Sequence, residues 1–324
     1  MKKLLSAILC LTLLAAALAA CGEKKDTESK LSIVTTIFPE YEWVREIVGD
    51  ATEHVEYTIL LDNGVDLHNY QPTSADVLKI STCDMFIYVG GESDTWVDGA
   101  LAEATNKDMV VIDLMDVLGD ALKEEEEKEG MEAEAEEEGE EEEEGPEYDE
   151  HIWLSLRNAA ALCRVICEKL CEIDADHAEA FRANADAYIA KLNALDAKYK
   201  EAVDNAKTKT LVFGDRFPFR YMFDDYGIDY YAAFKGCSAE SEASFETIMF
   251  LSGKIDELGL DSIMKIETSD GALAESVREQ TKAKDQKILT LDSLQSVNKE
   301  KMDAGATYLT EMEKNLEVLK EALG

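Results

Sequence analysis

The sequence predicts an α/β protein with two βα lobes, each with a mostly parallel sheet, joined by one long rigid helix. Short β-branched segments alternate with helical segments over residues 31–114, which is typical of βα units with parallel strands. Residues 177–206 contain neither Gly nor Pro and repeat Ala, Leu and Tyr at helical spacing. Because the alternation of strands and helices restarts at residue 210, this long helix separates two lobes.

The first lobe begins with the buried strand "LSIVTTIF", which is bounded by Pro39. A Thr-Ser pair typical of a helix start precedes the segment "ADVLKIS". The predicted strands of this lobe are residues 31–38, 54–61, 85–90 and 109–114, and the predicted helices are 40–49, 73–81 and 153–172.

The second lobe repeats the same pattern after the long helix. Its β-rich runs are short and each is followed by an amphipathic segment, as expected for further βα units. The predicted strands are residues 210–214, 228–234, 262–267 and 287–292, and the predicted helices are 217–227, 244–259, 272–283 and 298–322.

The N-terminal segment is typical of an exported protein. Two lysines precede an apolar stretch, and small residues lead to Cys21, a length too short for a permanent membrane-spanning helix. The ending "LAAC" followed by Gly resembles the bacterial lipobox, which implies cleavage before Cys21 and lipidation of that residue. Two or more acyl chains anchor a protein stably. The alternative is an ordinary secretory signal, and residues 22–30 are interpreted as a tether.

The chain is strongly acidic, with a formal net charge of -38. Residues 123–150 hold 18 acidic residues and 2 lysines, and therefore supply -16 of this charge. An acidic surface repels phosphates, which argues against nucleic-acid binding, and it attracts cations. The low-complexity part of this segment, about residues 123–148, cannot bury apolar surface, and we predict a disordered loop there.

The cysteines do not form a disulfide scaffold. Of the seven in the sequence, five remain after removal of the signal and lipidation of Cys21, and an odd number argues against such a scaffold. Cys163, Cys167 and Cys171 share one helix face. A thiolate metal cluster is the alternative, but their apolar neighbours favour packing in the core.

Candidate ligands follow the predicted strands. Side chains just beyond the carboxyl ends of strands line the ligand site of open α/β sheets. The imidazole and carboxylate groups at these positions suit a divalent ion such as Zn²⁺ or Mn²⁺, provided that the two lobes face each other. Each residue has an alternative role as a turn residue, a helix cap or a solvated side chain. The candidates are His68, His151, Asp215, Glu267 and Asp292.

Four segments resemble successive signatures of one family, the zinc/manganese substrate-binding lipoproteins of bacterial ABC importers, also called metal-binding adhesin-like or zinc-uptake binding proteins. The resemblance covers about residues 31–324 and implies the cluster A-I type of solute-binding fold. It also implies that His68 and His151 bind the metal. The segments are "TTIFPEYEWVREIVGD", "GVDLHNYQPTSADV", "DEHIWLSLRNA" and "FGDRFPFRYMFDDYGI".

The chain departs from the family in two places. The family's third ligand is usually His or Glu, and its position aligns with Gly214, so we take the adjacent Asp215 as the substitute, with Glu267 as a nearby carboxylate. The fourth ligand, an Asp, corresponds to Asp292. The loop before His151 is rich in Glu, where zinc-binding members often have His. A ligand set of two nitrogens and two oxygens resembles that of the manganese-binding members of the family. The long charged loop resembles that of the zinc-binding members, and we favour zinc.

These observations predict an extracytoplasmic, lipid-anchored monomer that captures a divalent transition metal between its lobes and delivers it to an ABC permease and its ATPase. The alternatives are a manganese-specific protein of the same family and a surface adhesion lipoprotein with a structural metal. The sequence contains no His-Glu-x-x-His, Gly-x-Ser-x-Gly or glycine-rich phosphate loop, which argues against an enzyme. The predicted divisions are a signal peptide (1–20), a tether (21–30), an N-terminal lobe (31–175), a connecting helix (176–207) and a C-terminal lobe (208–324).

Overall fold

The computed structural model describes residues 30–132, 147–238 and 242–324. These residues form two four-stranded sheets in which every strand pair is parallel. The sheets have equivalent strand orders, β2-β1-β3-β4 and β6-β5-β7-β8, so the predicted two-lobed α/β fold is confirmed. The strands are β1 Leu31–Thr35, β2 Val55–Ile59, β3 Met85–Tyr88, β4 Val110–Asp113, β5 Thr210–Phe217, β6 Asp229–Lys235, β7 Ser262–Ile266 and β8 Lys287–Leu291.

Helices connect successive strands and cover the sheets. The predicted helices are present, and two short helices of the described residues, α3 and α4, which follow β3 and β4, were not predicted. The helices are α1 Phe38–Val48, α2 Ser74–Thr82, α3 Val97–Ala102, α4 Leu114–Leu118, α5 Leu156–Ile173, α6 Ala178–Asp204, α7 Arg220–Tyr226, α8 Phe245–Leu258, α9 Ala272–Gln280, α10 Lys299–Asp303 and α11 Tyr308–Leu323.

The long helix α6 contacts both lobes. Its 27 residues span about 40 Å. The Asn184 side chain donates a hydrogen bond of 3.1 Å to the carbonyl of Ile47 at the end of α1. Farther along, the Tyr199 hydroxyl donates one of 2.6 Å to the carbonyl of Met312 in α11. The helix therefore links the N-terminal lobe to the last helix of the chain.

A shared apolar core connects the lobes directly. Trp43 of α1 packs edge-on against Tyr308 of α11, with ring centroids 5.4 Å apart. The Tyr308 hydroxyl donates to the carbonyl of Trp153 at 2.6 Å, and the Trp153 indole N–H donates to the carbonyl of Ser293 at 2.9 Å. All three aromatic side chains are fully buried. The interface between the lobes is thus packed like a protein interior, which limits independent lobe movement.

Two predicted elements are wrong in detail. The single helix predicted over residues 298–322 is split into α10 and α11 by Gly305, whose φ of +94° is incompatible with a continuing helix. The helix predicted to begin at residue 217 begins at Arg220, because β5 continues to Phe217 and Pro218 follows. Propensity alone does not reveal where a strand stops pairing.

The ends of the acidic segment are ordered, in contrast to the prediction of a disordered loop over residues 123–148. Glu124 and Tyr148 form an antiparallel bridge, and the backbone N–H of Glu125 donates to Glu147 at 2.9 Å. The backbone N–H of Glu132 donates to the carbonyl of Ala233 in β6 at 2.9 Å. Residues 123–132 therefore lie against the C-terminal lobe.

Several predictions lie outside the described residues. These are the signal peptide, Cys21, nearly all of the tether and the part of the acidic loop between residues 132 and 147. Within the described ranges, no helix combines the length and the apolar character that crossing a membrane requires. Cys163, Cys167 and Cys171 are free and buried in the apolar core, as predicted.

Candidate metal-binding site

His68 is held by the loop between β2 and α2. Asp66 begins a short 3₁₀ turn and accepts a hydrogen bond of 3.1 Å from the backbone N–H of His68. The imidazole Nδ1 lies 2.7 Å from the Ser93 hydroxyl and 3.4 Å from the Glu150 carboxylate. The backbone N–H of Ser93 also donates to Glu150, at 2.9 Å. Because its Nδ1 is engaged by these groups, His68 presents Nε2 as the free ligand atom.

Glu150 approaches this loop closely because of a glycine. Gly91 has a φ of +78°, and a Cβ at this position would collide with the Glu150 carboxylate. Burial alone would raise the pKa of Glu150, but hydrogen bonds from His68 and Ser93 hold that pKa below its usual 4.5. Glu150 is therefore a buried carboxylate that fixes the orientation of the His68 ring.

His151 follows the antiparallel bridge between Glu124 and Tyr148 at the base of the acidic segment. It is fully buried. Its backbone N–H donates to the Asp149 carboxylate at 2.8 Å, and its Nδ1 lies 3.1 Å from the same oxygen. The Tyr221 hydroxyl, from the C-terminal lobe, donates to the carbonyl of Asp149 at 2.9 Å. His151 thus also has Nδ1 beside a carboxylate and its Nε2 directed away from that carboxylate.

The two imidazoles meet through their Nε2 atoms, which are 3.1 Å apart. Two imidazole ligands of one tetrahedral zinc ion, each about 2.0–2.1 Å from it, lie about 3.4 Å from one another. When both Nδ1 atoms donate to their carboxylates, both Nε2 atoms direct lone pairs at the same point. A cation at that point stabilises this arrangement.

Cys237 completes the set of converging donors. Among residues 30–132, 147–238 and 242–324, one set of at least three His, Cys, Asp or Glu residues has its ligand atoms within 4.8 Å of one another: His68, His151 and Cys237. Cys237 was not among the ligands predicted from the sequence. The signal was its place two residues after β6, a strand end like those that selected the other candidates, but only imidazoles and carboxylates were considered there.

The electrostatics of the site disfavour charge without a cation. Burial lowers the pKa of His151 well below 6.5, and the neighbouring His68 lowers it further. Burial raises the pKa of Asp149 to about 7, and it raises the pKa of Glu125 to about 7 as well, with Asp149 adding to the effect. Burial raises the pKa of the Cys237 thiol well above 9.0, with a contribution from Asp149. A divalent ion would relieve the repulsion among these acidic groups.

Asp215 lies near the site but outside this set. Its two carboxylate oxygens accept hydrogen bonds from backbone N–H groups, one from Arg216 at 2.9 Å and one from Ile266 of β7 at 3.2 Å. It lines a cavity of about 590 Å³ together with Asn69, the neighbour of His68. Asp215 therefore joins β5 to β7, and its role as a ligand stays a prediction.

Asp292 and Glu267 form a neighbouring carboxylate pair. Asp292 accepts from the backbone N–H of Leu294 at 2.8 Å, and Lys301 lies 3.5 Å away. Glu267 accepts from the backbone and the hydroxyl of Ser293, both at 2.8 Å. Burial raises the pKa of Glu267, with the charge of Asp292 adding to the effect. Both residues lie at strand ends as predicted, and ligation by Asp292 stays a prediction.

Arg216 connects the loops that carry the converging donors. Its guanidinium lies 2.6 Å from the carboxylate of Asp66, next to the His68 turn. The same group donates a hydrogen bond of 3.2 Å to the carbonyl of Ser238, directly after Cys237. Arg216 therefore holds a loop of the N-terminal lobe against a loop of the C-terminal lobe.

The remaining two histidines pair elsewhere. The rings of His54 and His177 have centroids 5.3 Å apart. The Nδ1 atom of His177 lies 2.7 Å from Asp174. His54 directly precedes β2 and His177 directly precedes α6, so this pair lies at the amino end of a strand and away from the interlobe site.

Comparison of the chain with known proteins identifies the family to which it belongs. The family model described as "Zinc-uptake complex component A periplasmic" matches residues 33–322. The chain belongs to this family. It consists of metal-binding substrate-binding proteins of transport systems, not enzymes. The resemblance seen in the sequence segments is thus confirmed for nearly the whole chain after the predicted tether.

The relatives of this chain include two named zinc proteins. The zinc-binding lipoprotein AdcA of Streptococcus pneumoniae (TIGR4) is 34% identical over 99% of this chain, which spans 61% of that relative. The high-affinity zinc uptake system protein ZnuA of Bacillus subtilis (strain 168) is 31% identical, with 94% of this chain and 93% of the relative covered. The chain therefore spans about three fifths of AdcA and nearly all of ZnuA.

Solved structures of the zinc-uptake component family share the fold. The Zn(II)-bound ZnuA-like domain of S. pneumoniae AdcA superposes with a TM-score of 0.69 at 30% identity, covering 91% of this chain and 99% of that domain. The metal-dependent lipoprotein YcdH of B. subtilis gives a TM-score of 0.72 at 27% identity, with the same coverage.

Proposed function

We propose that this protein is an extracytoplasmic, lipid-anchored solute-binding protein that captures a zinc ion between its two lobes and delivers it to an ABC permease and its ATPase. The observation that carries the proposal is the convergence of His68 and His151, whose Nε2 atoms are 3.1 Å apart and whose Nδ1 atoms each face a carboxylate. This arrangement orients neutral imidazoles towards one ion. A monomer suffices, because both histidines belong to one chain.

Zinc is favoured over manganese by the nitrogen donors and by the names of the relatives. Imidazole suits zinc, whereas manganese prefers carboxylate, carbonyl and water oxygens. The relatives AdcA and ZnuA are named for zinc binding and zinc uptake. A manganese-specific site would instead rely on Asp215 and Asp292, the carboxylates that the family resemblance implies. We retain both as candidate ligands to be tested by Asp215→Asn and Asp292→Asn.

Release of the ion is expected to involve loop and lobe adjustments, not a wide opening. Helix α6 bonds to both α1 and α11, and Trp153 and Tyr308 lie in a shared core. Small displacements of the loops that carry His68 and His151 are enough to break the pairing of their rings. Docking on the permease would supply the energy for that displacement.

The deciding experiment measures metal content and affinity on the protein without its signal segment. We expect one tightly bound zinc ion that excess manganese does not displace. Preferential retention of manganese would reverse the metal assignment. A melting curve after chelation separates transport from a structural metal in an adhesion lipoprotein, since a transport protein folds without its cargo.

Membrane attachment has its own test. Cys21→Ser removes the lipidated side chain that the lipobox resemblance implies, and we expect the expressed protein to move from the membrane fraction to the soluble fraction. Equal membrane association of the variant and the native protein would contradict the lipid anchor without affecting the metal site.

A further inference from the structure

We propose that the Cys237 thiolate is the third protein ligand of the transported ion and that it makes the site select zinc over manganese. This inference rests on the proposed function. The Cys237 sulfur and the nitrogens of His68 and His151 lie within 4.8 Å of one another. A nitrogen and a sulfur ligand of one tetrahedral zinc ion are about 3.6 Å apart. Small rotations of these side chains therefore bring all three donors onto one ion.

The backbone around Cys237 is fixed from both sides. Its N–H donates to the carboxylate of Glu125, from the base of the acidic segment, at 3.1 Å. The carbonyl of the following Ser238 accepts from Arg216 at 3.2 Å. A thiol held in this way meets the requirement that a metal ligand be positioned by its neighbours.

Gly236 allows the chain around Cys237 to approach His151. A Cβ on Gly236 would lie 3.2 Å from Cε1 of the His151 ring and 3.1 Å from the carboxylate of Asp149. Both distances are tighter than ordinary van der Waals contact. The absence of a side chain at residue 236 therefore places the next residue, Cys237, beside the imidazole.

The carboxylate that competes for the third position is already engaged. Each oxygen of Asp215 accepts a backbone hydrogen bond, from Arg216 and from Ile266, and these bonds hold β5 to β7. Cys237 has no disulfide partner, and its side chain is not part of the apolar core. Ligation by the thiol therefore requires no change in the bonds that join β5 to β7.

The chemistry of the donor explains the selectivity. Thiolate sulfur is a soft ligand that binds zinc well, whereas manganese favours oxygen ligands. On binding, the sulfur–hydrogen bond is broken, a sulfur–zinc bond forms and one proton passes to the solvent, with no change of oxidation state. A site of two imidazoles and one thiolate therefore discriminates against manganese by its donor atoms.

The test replaces the sulfur with an oxygen. We expect Cys237→Ser to weaken zinc binding by at least about 10-fold. Loss of a residue that only supports a metal ligand already lowers metal affinity by about 10- to 100-fold. Manganese binding should change little, so the zinc-to-manganese preference should fall. Cys171→Ser, at a buried free cysteine of α5, is the matched control and should leave both affinities unchanged.

A second readout uses the unaltered protein. Loaded with Co²⁺, it should show a sulfur-to-cobalt charge-transfer band in the near ultraviolet. This band should be absent from Cys237→Ser and present in Asp215→Asn. Bound zinc should also protect Cys237, in the native chain, from alkylation by iodoacetamide.

Three outcomes are distinguishable. A cobalt complex of the native protein without the charge-transfer band overturns the thiolate ligand, even if Cys237→Ser fails to fold. Unchanged zinc affinity in a folded Cys237→Ser, combined with its loss in His151→Ala, overturns this inference and leaves the proposed function standing. Unchanged zinc affinity in both His68→Ala and His151→Ala would overturn the proposed function itself.

Discussion

The four histidines of the chain form two pairs of similar geometry and different surroundings. His68 and His151 have ring centroids 5.0 Å apart, and His54 and His177 have ring centroids 5.3 Å apart. In each pair at least one Nδ1 lies beside a carboxylate. The first pair lies between the lobes, and Cys237 is a third potential ligand beside it. The second pair lies at the amino end of β2, and within the described ranges no third Cys, Asp, Glu or His completes a group of three potential ligands with it. The two pairs differ in burial and in the presence of a third converging donor, which are the features of the candidate metal site.

Removal of an imidazole from each pair is the strongest way to test this comparison. We expect His68→Ala and His151→Ala to weaken zinc binding by more than about 100-fold, because even the loss of a residue behind a ligand costs about 10- to 100-fold. His54→Ala and His177→Ala should leave the affinity unchanged. Competition titration with a zinc-sensitive dye measures all four variants. A weaker effect in the first two variants than in the last two would assign the site to the other pair.

The carboxylates behind the rings should show an intermediate effect. Glu150→Gln and Asp149→Asn keep the shape but remove the charge that orients the imidazole, and we expect zinc affinity to fall by about 10- to 100-fold. Asp174→Asn, which alters the same contact in the second pair, is the matched control. Equal zinc affinities in all three variants would mean that these carboxylates contribute only to the stability of the fold. The melting temperatures of the variants would then test that contribution.

Protonation distinguishes the buried pair in a second way. Burial and the proximity of His68 lower the pKa of His151 well below 6.5, so its ring stays neutral as the pH falls through the usual range of histidine. Because only the neutral ring binds metal, protons compete with zinc at this residue only at lower pH. NMR titration of the metal-free protein should show the His151 ring signal unshifted at pH 6. A midpoint near 6.5 would contradict its burial in solution.

The smallest expected effect concerns the acidic segment. Residues 133–144 carry nine glutamates and no basic residue. The charge of this segment would act as a weak, multi-site cation reservoir and affect association more than affinity. We expect deletion of residues 133–144 to slow zinc capture at low salt and to lower the number of weakly bound ions, with tight binding retained. Stopped-flow kinetics at two salt concentrations measures the change. Identical capture rates and weak-site numbers would leave the segment a spacer that aids solubility.

Much of the fold could be predicted from the sequence because its signals are local. The eight strands of the described ranges lie in short runs rich in β-branched or aromatic residues, and the long helix follows from its composition. The short helices α3 and α4, of 6 and 5 residues, are below the length at which helical periodicity is visible. The ordered flank of the acidic segment was missed because composition averages over residues, whereas Glu125 and Glu132 form specific bonds with the other lobe.

The candidate site was predictable in part. His68 and His151, whose rings the structure brings together, were predicted because they follow strands and lie in segments that resemble the family. The contribution of Cys237 depends on Gly236 and on the contacts of Arg216 and Glu125, which join distant parts of the chain. The position of Cys237 just after a strand was visible in the sequence, but these tertiary contacts were not. Asp215 and Asp292 stay predictions until their variants are titrated.

The base of the acidic segment has a consequence for how the protein tolerates change. Backbone hydrogen bonds close the segment: Glu125 donates to Glu147, and Asp149 donates to Lys123, each at 2.9 Å. The Tyr221 hydroxyl accepts from the N–H of Lys123 and donates to the carbonyl of Asp149. Because these hydrogen bonds hold the two ends of the acidic segment together, lengthening the segment costs little loop-closure entropy. Changes in the length or composition of the insert should therefore leave the position of the adjoining His151 unchanged.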